Sequence, residues 1–312
     1  MKMLFIIILF VASGASAQQK IIPRDTSFTI HSAYVKEKKK YPFIEIAEPP
    51  IPNNISIQRD IVYTSIKQRE LHLDVYYPKN KRQKYPAVLL IHGGGWKSGD
   101  KSQNEAMALQ LASKGYVAVT AEYRLSTEAQ YPAALYDLRQ AIRWMRTNAG
   151  KYGLNKNKIA VLGVSAGGQL AALLGTTYDH KKVGGRKIKK RINSIQAIID
   201  IDGILAFKHP ESAEGKMAAE WLGGTYEENP VVWQEASALT HVGKNTPPTL
   251  FINSSNPRFH AGQNDFINKL QPYRIYHEVH TIPDTPHTFW LFHPWFRPTV
   301  DIVSSFLNRI FK

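Results

Sequence analysis

The chain has 312 residues, of which 43% are hydrophobic and 21% charged, and its formal net charge is +15. This length allows one large domain with a sizeable core, and the composition excludes a disordered or fibrous protein. The chain has no cysteine, which excludes disulfides, thiolate metal ligands and a cysteine nucleophile.

The first residues have the pattern of an export signal. Lys2 precedes an unbroken apolar run over 4–11, and Ala-Ser-Ala over 15–17 has the small-x-small form of a signal-peptidase site. The apolar run is too short for a bilayer core of about 30 Å. We therefore expect 1–17 to be a signal peptide cleaved near Ala17–Gln18. The mature protein would be secreted or periplasmic, without stable membrane insertion.

Residues 18–57 are predicted to form an N-terminal arm that ends as extended chain at Pro49, Pro50 and Pro52. Strand and helix patterns then alternate from 58 to 312, which indicates a mostly parallel sheet with helices on both faces. The first two strands alternate in polarity, as expected for an antiparallel pair. The predicted strands cover 61–66, 71–77, 86–91, 116–121, 158–164, 194–201, 249–253 and 274–282. The predicted helices cover 133–148, 166–174, 261–270 and 299–311.

Residues 204–246 interrupt this alternation. They separate two predicted strands by far more than a typical connection. Long insertions in compact domains commonly form lids or binding loops. We therefore expect a cap-like insertion over the active site.

The sharpest motif is Gly-Val-Ser-Ala-Gly over 163–167, between a predicted strand and a predicted helix. This is the context that a G-x-S-x-G nucleophile requires. Ser165 must occupy a tight turn that exposes its hydroxyl, and bulky residues two positions away on either side would collide. The following helix directs its positive end towards developing negative charge. Ser165 is therefore the predicted nucleophile.

A second glycine-rich motif, His-Gly-Gly-Gly-Trp over 92–96, follows an earlier buried strand. Its glycines allow backbone N–H groups to converge without a side chain between them. We expect Gly94, Gly95 and Trp96, together with the N–H of Ala166, to form an oxyanion hole. A phosphate-binding loop is the rival interpretation, but the motif lacks the Lys-Ser or Lys-Thr ending.

Four stretches of the chain resemble the α/β-hydrolases that carry an HGGG motif: LHLDVYYP, HGGGWKSGDK, YPAALYDLRQAIRWMR and KIAVLGVSAGGQLAALLG. The nearest branch is the bacterial carbohydrate esterases, which include acetylxylan, feruloyl and pectin esterases. FINSSNPRFHAGQNDF and IPDTPHTFWLFHPW resemble in particular a pectin-esterase-like group. The resemblance extends from about Asp60 to the C-terminus. It implies an α/β-hydrolase fold, with a mostly parallel eight-stranded sheet flanked by helices, and ester hydrolysis by a serine.

The resemblance places the general base at His287, in the segment 283–287 after the last predicted strand. Its Nε2 would take the proton of Ser165 and later return it. His293, six residues further on in an aromatic run, is the second choice.

The catalytic acid is where the chain departs from the family pattern. Most members have an aspartate just after the penultimate strand, but here that loop reads Asn-Ser-Ser-Asn-Pro and Asn256 occupies the approximate position. Three explanations are open: Asp202 at the end of the neighbouring strand, Asp265 in the following helix, or a dyad in which Asn256 orients His287. The remaining nearby carboxylates are Asp200 and Asp284.

The same loop carries Arg258 and His260, which suit a substrate with a carboxylate, such as a uronic acid. Trp96 and Trp221 are candidates for stacking on sugar rings. The segment 181–191 contains seven Lys or Arg residues. It is either a solvated loop or a surface that attracts an acidic polysaccharide. No nucleic-acid-binding motif accompanies it, so a nucleic-acid partner is not expected.

We therefore predict a secreted serine carboxylester hydrolase that removes methyl or acyl esters from a plant cell-wall polysaccharide. Pectin is favoured over xylan, and the Ser-His-acid mechanism proceeds through an acyl-enzyme. It requires no metal or organic cofactor. The alternatives are a non-catalytic polysaccharide-binding protein that has lost its acid, or a small serine peptidase.

Overall fold

A computed structural model describes residues 25–312 except 26, 81, 82, 181, 184, 185, 188 and 189. The predicted signal peptide and much of the basic segment 181–191 lie outside the described residues. The strands are β1 (Glu45–Ile46), β2 (Ile55–Ile66), β3 (Arg69–Pro78), β4 (Tyr85–Ile91), β5 (Val117–Ala121), β6 (Leu154–Val164), β7 (Lys182–Val183), β8 (Arg186–Lys187), β9 (Ala197–Ile201), β10 (Thr249–Asn253), β11 (His277–Thr281) and β12 (Phe292–His293). The α-helices are α1 (Ile30–Glu37), α2 (Glu105–Ser113), α3 (Ala133–Thr147), α4 (Ala149–Tyr152), α5 (Ala166–Thr177), α6 (Lys190–Asn193), α7 (Lys216–Leu222), α8 (Pro230–Ala236), α9 (Gln263–Leu270) and α10 (Phe296–Phe311).

Eight strands form one sheet in the order β11-β10-β9-β6-β4-β5-β3-β2. The strands from β11 to β5 are parallel to their neighbours, β3 is antiparallel to β5, and β2 is antiparallel to β3. The predicted mostly parallel eight-stranded sheet and its antiparallel first pair are thus confirmed. The carboxyl ends of the parallel strands meet at one edge, where open α/β sheets place their sites.

Strand β4 shows how the two faces of the sheet are buried. Ala87, Leu89 and Ile91 pack in the apolar layer that contains residues of α3 and α5, whereas Val88 and Leu90 pack in the layer that contains residues of α2 and α10. All five side chains are fully buried. Burying each Leu, Ile or Val contributes roughly 1.5–3 kcal/mol to folding. A strand buried on both sides reads as a continuous apolar run, as the sequence indicated.

The four predicted helices correspond to α3, α5, α9 and α10. Helix α2 was not predicted. Its sequence, EAMALQLAS, buries five side chains, and these are distributed around the helix rather than along one apolar stripe, so the helical period is weak. No helix in the described part of the chain has both the length and the apolar character needed to span a bilayer.

The N-terminal arm folds against the rest of the chain. Helix α1 begins with a capping box between Thr29 and Ser32. Strand β1 pairs antiparallel with β12, and Ile44 beside it is fully buried. The Tyr34 ring packs against Phe292, with ring centroids 6.1 Å apart. The arm is therefore docked on the segment that follows β11, and 47–52 of the arm forms neither helix nor strand.

Candidate active site

Ser165 lies between β6 and α5 in a strained turn, with φ 55° and ψ −124°. A Cβ on Gly163 would overlap the carbonyl oxygen of Gly167, and one on Gly167 would overlap that of Ile91. Both motif glycines are thus required by backbone contacts. A residue held in such a conformation costs about 1–3 kcal/mol. The backbone N–H of Ser165 donates to Ile201 O at 2.8 Å, which ties the turn to β9.

His287 lies next to this serine. Its Nδ1–H donates to Oδ2 of Asp202 at 2.8 Å, which leaves Nε2 to accept the hydroxyl proton of Ser165 at 2.8 Å. The tautomer follows from this hydrogen-bond network. The Phe259 ring stacks on the imidazole with centroids 3.4 Å apart, and Trp290 meets it edge-on at 5.3 Å. The imidazole is therefore held by hydrogen bonds at both ring nitrogens and by the two aromatic rings that pack against it.

Asp202 follows β9, and its side chain is completely buried. Its φ of 52° turns the residue out of the strand path. The second carboxylate oxygen accepts the N–H of Ser254 at 2.7 Å, and the Asp202 N–H donates to Ile252 O at 3.0 Å. Charge-assisted hydrogen bonds of this length are the stronger ones in proteins. The structure thus brings Ser165, His287 and Asp202 together as a Ser-His-Asp arrangement.

The other candidate acids lie elsewhere. Asp265 is exposed and pairs with His209 at 3.2 Å, because the first turn of α9 faces the insertion rather than His287. The prediction of Asp265 as an acid does not agree with this placement. Asn256 is exposed, and its N–H donates to the Ser254 hydroxyl at 3.2 Å. Asp200 is buried within β9, with its carboxylate against Gly168 and Gly203.

The loop that normally carries the acid has a different role here. The Ser255 N–H donates to the Thr285 hydroxyl, and the Thr285 N–H donates to the Ser255 hydroxyl, both at 3.2 Å. This reciprocal pair joins the loop after β10 to the segment that carries His287. Neither the pair nor the Phe259 stacking was predicted, and no sequence pattern marks either.

The loop after β4 lies against the serine. A Cβ on Gly93 would be 2.9 Å from Val164 O and 3.1 Å from the Cβ of Ser165. Gly94, Gly95 and Trp96 all have positive φ, and all three line the same cavity as Ser165 and Ala166. The N–H of Ala166 lies at the first position of α5, where no intrahelical acceptor exists. The predicted oxyanion donors are therefore grouped beside the nucleophile.

The cavity in front of Ser165 has a volume of about 1210 Å³. The exposed Arg258 lines it, with its guanidinium 4.6 Å from the centroid of the Phe259 ring. His260 is not among its lining residues, and burial lowers the pKa of His260. His260 is therefore disfavoured as the predicted cationic contact.

Trp221 is completely buried, so it cannot stack on a sugar as predicted. It packs instead on Trp96, with centroids 4.9 Å apart and an interplanar angle of 8°. Trp96 lines the cavity but is only 8% exposed, and its Nε1–H donates to Gln169 at 3.0 Å. The two indoles therefore stabilise the loop rather than offering open faces.

The insertion over 204–246 contributes to the cavity wall. Residues 213–218 line it, and a Cβ on Gly95 would lie 2.5 Å from Sδ of Met217. The insertion thus reaches the oxyanion loop. Among the described residues, no group of three or more His, Asp or Glu side chains could hold a metal ion.

The sheet, the strand–turn–helix serine and the histidine that follows the last strand of the sheet define an α/β-hydrolase fold. The chain belongs to the BD-FAE family, whose sequence profile matches residues 73–259, more than half of the chain. A curated relative, esterase LipC of Mycobacterium tuberculosis, is 31% identical over 190 residues, covering 59% of this chain and 47% of LipC. The chain spans about half the length of the curated relatives that it matches.

Solved structures share the fold at low identity. A truncated carbohydrate esterase from gut microbiota has a TM-score of 0.68 at 22% identity, covering 84% of this chain and 100% of that one. An acetyl ester-xyloside bifunctional hydrolase from Caldicellulosiruptor lactoaceticus has a TM-score of 0.67 at 23% identity, covering 84% and 98%. At these identities the likeness establishes the fold.

Proposed function

We propose that this protein is a serine carboxylester hydrolase. The observation that carries the proposal is the continuous hydrogen-bonded line from the Ser165 hydroxyl through His287 to the buried Asp202. The grouping of the predicted oxyanion donors beside Ser165 supports it, as does the similarity to curated esterases.

The reaction would proceed in two steps. Ser165 Oγ attacks the ester carbonyl carbon while His287 Nε2 takes its proton, and Asp202 stabilises the imidazolium that forms. The oxyanion is held by N–H groups of the 94–96 loop and of Ala166, each worth about 3–4 kcal/mol in comparable sites. The C–O bond then breaks, and the alcohol leaves with the proton from His287. Water activated by the same histidine hydrolyses the acyl-enzyme.

We assign the substrate to esters on a plant cell-wall polysaccharide, with pectin preferred to xylan. A cavity of about 1210 Å³ exceeds the roughly 300–1,000 Å³ of small-molecule pockets, so it has room for several sugar units. Solved structures with this fold include a carbohydrate esterase and an acetyl ester-xyloside hydrolase. Arg258 at the cavity wall and the net charge of +15 favour an acidic polymer. Export through the predicted signal peptide would place the enzyme where such polymers occur.

Turnover of p-nitrophenyl acetate by the wild type and its loss in Ser165→Ala test the proposed activity. Absence of turnover in well-folded wild type, together with retained polysaccharide binding, would favour the non-catalytic alternative instead. Methylated pectin, acetylated pectin and acetylated xylan are then compared by released methanol or acetate. Release from xylan alone would contradict the pectin assignment.

The non-catalytic alternative depended on the missing acid at Asn256. A buried carboxylate 2.8 Å from His287 Nδ1 removes that reason. No specific observation favours a peptidase.

A further inference from the structure

The N-terminal arm reaches the active-site cavity. Ser27, Phe28, Lys36, Lys40 and Tyr41 line the same cavity as Ser165. The family match begins only at residue 73, so these residues lie outside the matched region. Cleavage at the predicted signal-peptidase site would leave the arm in the mature chain. The arm is therefore a part of the site wall that the family match does not describe.

The arm is held firmly enough to act as a wall. The Tyr41 ring packs edge-on against Trp295 with centroids 5.3 Å apart, and the N–H of Ala47 donates to Leu291 O at 2.9 Å. Lys38 donates to the carbonyl oxygen of Ile44 at 3.2 Å, which closes the turn after α1. These contacts tie the arm to residues 291–295, shortly after His287. The side chains that it presents to the cavity thus have defined positions relative to the triad.

Several charges around the cavity neutralise one another. Lys36 pairs with Glu37 at 3.2 Å, and Lys216 lies 3.8 Å from Glu220. Asp202 is bound to His287, whereas Glu214 accepts hydrogen bonds from the backbone N–H of Lys208 and the hydroxyl of Ser212, which leave its charge in place.

Among the described residues, two lining cations, Lys40 and Arg258, and two lining carboxylates, Glu214 and Asp284, have no oppositely charged partner. The Lys40 ammonium lies 5.2 Å from the centroid of the Tyr41 ring. An aromatic ring beside an exposed ammonium can accept a sugar ring that carries a carboxylate.

We propose that Lys40 and Tyr41 form a distal subsite for a uronic-acid unit of the polymer, away from the ester that Ser165 attacks. The inference rests on the proposed function, because it assumes that the occupant of the cavity is a saccharide ester. It assigns to the arm a role in selecting acidic over neutral chains. The chemistry of the ester itself does not require the arm.

Binding of a short oligogalacturonate to Ser165→Ala protein, measured by calorimetry at low salt, tests the subsite without turnover. Lys40→Glu is compared with Lys39→Glu, because Lys39 is also an exposed arm residue but does not line the cavity. We expect Lys40→Glu to weaken binding by about fivefold or more, since one exposed ion pair is worth up to about 1 kcal/mol and reversal adds repulsion. Lys39→Glu should change it by less than about twofold, and the difference should shrink near 1 M salt, where the Debye length is about 3 Å.

Equal effects of the two reversals, or no oligogalacturonate binding at all, would overturn the subsite. So would an equal loss of binding to a neutral xylo-oligosaccharide in Lys40→Glu. Turnover of p-nitrophenyl acetate by the arm variants with Ser165 intact is the separate readout. We expect it unchanged in Lys39→Glu, and its absence in the wild type would point to failure of the proposed esterase activity instead.

Discussion

Replacing Asp202 by asparagine removes one charge from the site and leaves the shape of the side chain almost unchanged. The carboxylate accepts from His287 Nδ1–H at 2.8 Å and from the Ser254 N–H at 2.7 Å. An amide has one oxygen, so it can accept from only one of these donors and must turn its NH2 group towards the other.

Both orientations of the amide are unfavourable. If the NH2 group faces His287, it forces the proton to Nε2, and the imidazole can no longer take the proton of Ser165. If the NH2 group faces Ser254, two donors meet in a fully buried position, at a cost of about 1–3 kcal/mol. In either case the imidazolium loses its counter-charge.

We expect kcat on p-nitrophenyl acetate to fall by at least about 100-fold and up to about 10⁴-fold, or roughly 3–5.5 kcal/mol of activation free energy. Asp265→Asn, at an exposed carboxylate paired with His209, is the matched control and should retain wild-type kcat. Thermal unfolding of both variants separates loss of activity from loss of folding. A well-folded Asp202→Asn enzyme within about tenfold of the wild type would refute Asp202 as the acid.

Three further predictions follow from individual contacts. Gly163→Ala should lower the free energy of unfolding in urea by about 3 kcal/mol or more, because its Cβ would overlap backbone. Gly150→Ala lies in α4 with nothing within 4 Å of the new Cβ, so it should raise the free energy of unfolding by up to about 1 kcal/mol. Equal changes in the free energy of unfolding for the two variants would contradict this expectation. Burial, together with the neighbouring Asp202 carboxylate, raises the pKa of Asp200 well above its usual value. Its contribution to stability is therefore complete below the unfolded-state pKa of about 3.9 and is lost as pH rises towards the raised value. The free energy of unfolding in urea is measured at pH 5 and pH 8, and the part of its fall that is due to Asp200 should be absent in Asp200→Asn. An equal fall in the wild type and the variant would contradict this. Thr285→Val removes the hydroxyl that joins the His287 segment to the loop after β10, so kcat should fall severalfold and stability by about 1–2 kcal/mol. Thr285→Ser should restore both, and a valine variant with wild-type kcat would show that the pair does not position His287.

The features that the sequence predicts best are those whose chemistry depends on neighbouring residues. The 163–167 turn and the 92–96 loop are local motifs. Except at Gly95, where an added Cβ would meet the side chain of Met217, their glycines are required by backbone contacts within a few residues or with the adjoining strand. The eight strands were also predictable, because each is a continuous or alternating apolar run with turn residues at its ends.

The acid could not be assigned in this way. Asp202 and His287 are 85 residues apart in the chain, and the sequence left five residues as candidates for the partner of His287. The order β10-β9-β6 places the end of β9 beside both the nucleophile turn and the histidine segment, whereas the first turn of α9 directs Asp265 towards His209. Strand order is a property of the whole sheet, and no local pattern encodes it.

The sequence by itself determined the fold class, the position of the serine turn and the oxyanion loop, because short-range sterics and hydrophobic periodicity decide them. Only the tertiary structure decided which carboxylate meets His287, that Trp221 is buried, and that the N-terminal arm reaches the cavity. Each of these depends on which distant segments pack together, and the burial of side chains between layers is settled only when all of the layers are in place.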